Sequence, residues 1–109
     1  MIEFVASGSP RAVSQAIEEY AAGQRTVSAM VVPWESDLAV LKMSVTAVSG
    51  DGWAIEHTNL GTIRLMDLGN ERTQVSAAGA ETIDPDQQKR AVVFDRFAQQ
   101  IQSRFRVST

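Results

Sequence analysis

The stretch "DPDQQKRAVVFDRFAQQIQSRFRVST", residues 84–109, governs the reading of the whole chain. Asp84 is placed to cap a helix, Pro85 carries the fixed φ favoured at the first helical position, and Gln87 completes a capping box. Phe94, Phe97, Ala98, Ile101 and Phe105 then recur at spacings of three and four, which puts them on one stripe. The spacing predicts a helix from Pro85 to about Arg106, on the order of 30 Å long. Burying each large side chain of the stripe is worth roughly 1.5–3 kcal/mol, and the stripe together on the order of 5–10 kcal/mol. That is comparable with the net stability of a small domain, so this helix must lie against an apolar surface.

That surface is expected upstream. "MIEFVAS" alternates as a short strand does, and Ser9-Pro10 starts a helix with a hydroxyl cap and a proline in its first turn. Val13, Ala16, Ile17, Tyr20 and Ala21 form its apolar face, and Gly23 marks its end. From there to Ala80 the period changes to two. "RTVSAMVVPW", "LAVLKMSVTAV", "WAIEHT", "TIRLMDL" and "RTQVSAAGA" read as strands, with turns at "ESD", "SGDG", "NLG" and "GNE". The expected order is β-α-β-β-β-β-β-α, an α+β fold with a curved antiparallel sheet packed against the long last helix. All of 1–109 reads as a single domain.

Composition narrows the function. The chain has 109 residues, 44% hydrophobic and 21% charged, an ordinary globular balance. With no cysteine there is no disulfide, thiolate nucleophile or cysteine-based zinc site. A net charge of −3 gives no general attraction to phosphate backbones. "MIEFVAS" lacks the basic start and apolar run of a signal peptide, and "AMVV" and "LAVL" are too short to span a bilayer. These features predict a soluble, cytoplasmic protein without membrane insertion or a nucleic-acid partner.

Three phrases carry a family resemblance: "IEFVASGSPRAVSQAIEEY" at the start, "TIRLMDLGNERTQVSAAG" in the late hairpin, and "DPDQQKRAVVFDRFAQQIQSRF" in the last helix. In pattern they resemble the START / Bet v 1-like (SRPBCC, polyketide cyclase-like) helix-grip superfamily, whose members bind lipids and other hydrophobic ligands. The chain looks like a shortened member, with one helix after the first strand where the family has two. The resemblance implies a small apolar ligand held between a curved sheet and the last helix.

Candidate lining residues are Trp53, Ile55, His57, Met43 and Phe97. Trp53, Ile55 and His57 share one strand face, and an apolar wall with a few polar groups suits a ligand pocket. His57 reads either as a hydrogen-bonder or general base in such a pocket, or as an ordinary residue near a strand end. Trp34 and Trp53 either clamp a ligand or fill core; Met30, Met43 and Met66 either soften a binding surface or fill core. A solitary histidine gives no histidine metal site, and the sequence holds no G-x-S-x-G elbow or phosphate loop, so no catalytic residue, metal or cofactor is expected. The basic residues Lys89, Arg90, Arg96, Arg104 and Arg106 suit the solvent side of the last helix. The alternative function is a protein–protein interaction or homo-oligomeric module without a cavity, working through a strand edge or an uncovered apolar stripe and possible as a homodimer.

Overall fold

The structure is a computed structural model. It describes residues 2–24, 27–37, 39–50, 55–79 and 85–107, and within these the side chains other than those of 48–50, 55–58 and 85–90. In chain order the elements are β1 (Ile2–Ser7), α1 (Pro10–Gln24), β2 (Val27–Val31), a 3-10 turn (Pro33–Glu35), β3 (Val40–Gly50), β4 (Ile55–Gly69), β5 (Arg72–Gly79) and α2 (Pro85–Phe105). The strands form one antiparallel sheet in the order β1-β5-β4-β3-β2.

Local chemistry explains most of these elements. The Ser9 hydroxyl accepts from the Ala12 amide at 3.2 Å, the cap that Ser9-Pro10 predicts. Asn70 and Glu71 have φ of 55° and 57°, and they join β4 to β5 in a two-residue turn whose positive φ values match the twist of the strands. The Thr73 hydroxyl, fully buried, donates to the Gly8 carbonyl at 2.8 Å and ties that hairpin to the end of β1. The expected turns at Asp51-Gly52 and the Asp84 cap lie outside the described residues.

Alternation sorts the sheet into two faces. Phe4, Ala6, Val27, Ala29, Met43, Val45, Ile63, Leu65, Val75 and Ala77 point to one side and are buried. Both helices cover that side. Val13, Ile17 and Ala21 of α1 and Phe94, Phe97, Ala98 and Ile101 of α2 share one core with these strand residues. The stripe on α2 therefore does what its spacing predicts. α2 lies over β1, β5 and β4, while α1 packs chiefly on β2. Tyr20 of α1 joins them, stacking on Phe97 at 6.1 Å and meeting Phe105 edge-on at 6.2 Å.

Two expectations are corrected. The segment around "NLG" is no turn: residues 55–69 are one continuous strand, and the predicted break is a β-bulge. Val45 pairs with Gly61 and Thr46 with Asn59, so Leu60 is the extra residue. Asn and Gly mimic a turn signal there, but the chain keeps its direction because both sides of the bulge find partners on β3. The second correction concerns the curved sheet, and with it the START / Bet v 1-like helix-grip resemblance. The sheet is open and not strongly curled, with β1 and β2 as its edges. Rolling a sheet around a helix takes repeated bulges and kinks, whereas among the described residues the register shifts only at this bulge and beside the β4–β5 turn. Two helices share the covered face, so no single helix is gripped.

Candidate functional site

With both helices on one side, the other face of the sheet carries no covering element among the described residues. The pairing register sets out its side chains in rows. Glu3, Ser76, Arg64 and Lys42 stand side by side across β1, β5, β4 and β3. The neighbouring row is Val5, Gln74, Met66 and Val40, and on the far side Ala78, Thr62, Ser44 and Met30 follow. Glu3, Val40, Thr62, Arg64, Met66 and Gln74 line a shallow trough of about 470 Å³, together with Ser76 and Ala78. A second hollow of about 410 Å³ adjoins it at Thr62 and runs to Met30 and Trp34.

Trp34 is 85% exposed and Met30 64%, a large apolar area to leave in water beside polar neighbours. The turn that carries Trp34 is tightly bonded. Ser36 donates its hydroxyl hydrogen to the Val32 carbonyl at 2.7 Å, and its oxygen accepts from the Lys42 amide at 2.9 Å. The Val32 amide donates to the Lys42 carbonyl at 2.8 Å, and Lys42 pairs with Glu35 at 3.2 Å. The backbone that carries the indole is thus hydrogen-bonded on both sides of Trp34, so little backbone entropy is lost when the side chain is covered.

Asp37 finishes this turn. The backbone amides of Val40 and Ala39, donating to its Oδ1 at 2.9 and 2.8 Å, hold its carboxyl below the usual carboxylate range. Folding therefore favours the charged form. The contribution is complete above the ordinary carboxylate pKa and is lost as pH falls through the lowered folded value. Asp37→Ala is expected to be less stable than the parent at neutral pH, with the gap narrowing in acid. Urea midpoints measured across a pH series check this, and a gap that is constant with pH contradicts it.

The edges of the sheet are less available than its face. The Val31 amide on β2 donates to Glu18 of α1 at 3.2 Å. On the other side Val107 donates to the Val5 carbonyl at 2.8 Å, and Ala6 bridges Arg106. Addition of a foreign strand would have to displace these partners.

The sequence-predicted site residues are not assembled by the described structure into one pocket. Met43 is 0% exposed and Phe97 2%, both packed in the core. Trp53 lies outside the described residues; Ile55 and His57 belong to β4, their side chains outside the description. Among the described residues no buried polar side-chain atom lacks a hydrogen-bond partner, and none of them form a group of three metal-ligating side chains. Among the described residues no helix is long and apolar enough to cross a membrane. Of the basic residues on α2, Arg104 lies over the Tyr20 ring at 5.3 Å, a cation–π contact between the helices.

The residues of the open face were only partly legible. Met66 shares its parity with Arg64 and Thr62, which places it opposite the buried Ile63 and Leu65. That signal was available in the alternation. The placement of Glu3 in one row with Arg64 across β5 was not, since it needs β1 beside β5. Compared with protein-family models, curated proteins and solved structures, the chain matches none.

Proposed function

We propose that this domain is a non-catalytic protein–protein interaction module that works through the uncovered face of its sheet. The observation that carries the reading is the placement of both helices on one face, with Trp34, Met30 and Met66 in solvent on the other. Exposed tryptophan, methionine and arginine are residue types enriched at protein interfaces, and the bonded turn beneath Trp34 presents it ready for contact. The polar residues between them, Ser44, Thr62, Gln74 and Ser76, supply hydrogen-bonding groups without a strong field of one sign. A ligand between sheet and α2 has less support, because Met43 and Phe97 already fill that space by packing on other core residues. Val92 and Val93 of α2 are also exposed, and Val93 borders a hollow of about 370 Å³, but the aromatic side chain there, Phe97, is buried in the core and offers no exposed anchor.

The test uses the methionine ε-methyl groups as reporters. In extract of the cells that make the protein, the Met30 and Met66 signals are expected to shift or broaden, while that of buried Met43 stays in place. Unchanged Met30 and Met66 signals would overturn the reading. Trp34→Ala is expected to keep the stability within about 0.5 kcal/mol, as an exposed side chain should, and to weaken the response of the two reporters.

A further inference from the structure

Resting on that reading, we infer that the partner is a second copy of this chain, stacked face to face on the open sheet. The charge pattern of the Glu3–Ser76–Arg64–Lys42 row carries the inference. The acid stands on the β1 edge and the two bases two and three strands away, with small Ser76 between. Neither Glu3 nor Arg64 makes an ion pair with a described residue of its own chain, whereas Lys42 is held by Glu35.

A closed dimer needs a surface that is complementary to itself about a twofold axis. Consider an axis in the interface, parallel to the strands, running along β5 or between β5 and β4. It lays Glu3 of each copy over the Arg64–Lys42 pair of the other. The same operation brings Val5 of one copy to Met66 and Val40 of the other, apolar on apolar. Along the axis stand Gln74, Ser76 and Ala78, two of them small enough for the sheets to approach closely. Trp34, carried at the β2 side, then projects beyond the β1 edge of the other copy and stays outside the stacked strands. An axis along β4 would instead set Arg64 against Arg64, and one between β4 and β3 would set Arg64 against Lys42; both are repulsive. Among axes parallel to the strands, the pattern therefore favours those at or beside β5 over those at or beyond β4.

Sedimentation velocity on the purified full chain over the micromolar range tests this. The parent is expected to show reversible dimer formation. Glu3→Arg and Arg64→Glu, each at an exposed position, are expected to keep the fold and to raise the dimer dissociation constant by roughly tenfold or more. The double variant carrying both swaps restores opposite charges and is expected to recover dimer formation. A parent that stays monomeric throughout, single swaps without effect, or a double variant no better than the singles would each overturn the second-copy inference. A monomeric parent whose Met30 and Met66 methyl groups still respond in cell extract would remove only this inference. Silence in both experiments would remove the interaction reading with it.

Discussion

Phe94→Ala is expected to destabilise the domain by about 3–5 kcal/mol, a loss that removes much of the stability of a chain this size. Phe94 is, with Phe97, Ala98 and Ile101, one of the side chains by which α2 docks on the sheet. Its ring fits a slot made by two facing glycines, Gly61 on β4 and Gly79 on β5, which are register partners. A Cβ at Gly61 would lie 2.7 Å from Phe94 Cε2 and 2.5 Å from the Ala78 carbonyl oxygen. At Gly79 the ring is 3.5 Å away, ordinary contact. Gly61→Ala is therefore expected to cost about 2–3 kcal/mol through overpacking, and Gly79→Ala much less. Combining Gly61→Ala with Phe94→Ala should cost less than the sum, since the ring is half of the clash; the Ala78 oxygen, being backbone, keeps the relief incomplete. Urea unfolding of the four variants checks this. Additive effects, or a Gly79→Ala more damaging than Gly61→Ala, would show that the slot is not what holds α2.

Met43→Ala separates a core residue from a pocket wall. Met43 is fully buried in the middle of the sheet, paired with Ile63 and Val31 and covered by the helices. Truncating it in a filled core leaves a void and is expected to cost about 2–5 kcal/mol. A methionine lining an existing ligand cavity would lose few contacts, and alanine there would cost little while enlarging the cavity. The denaturation midpoint reads the difference directly. A cost below about 1 kcal/mol, within the range of volume-conserving swaps, would count against the filled core and return the space beside α2 to consideration as a binding site.

Much of this architecture was legible because it is local. The capped start of α1 follows from Ser9-Pro10, the β4–β5 turn from Gly69-Asn70, which hold positive φ readily, and the buried stripe of α2 from spacing alone. The alternation in "TIRLMDL" assigned Ile63 and Leu65 to one face and Arg64 to the other, because neighbouring side chains of a strand point oppositely. Where the same local signals misled, a non-local partner was responsible. Asn59-Leu60-Gly61 has the composition of a turn, yet β3 pairs with it on both sides of Leu60 and keeps the strand running.

The sequence by itself determined which side chains seek burial and where the helices and most strands lie, since periodicity and capping act over a few residues. Only the tertiary structure decided what those elements enclose. It placed β1 beside β5, set both helices on one face, left the sheet open, and so put Met43 and Phe97 inside and Trp34, Met66, Glu3 and Arg64 outside. The physical reason is that a strand's pattern fixes two faces but not which neighbours it takes or which face is covered. That choice rests on contacts between residues far apart in the chain, such as Phe94 in the notch at Gly61 and the Thr73 hydroxyl on Gly8.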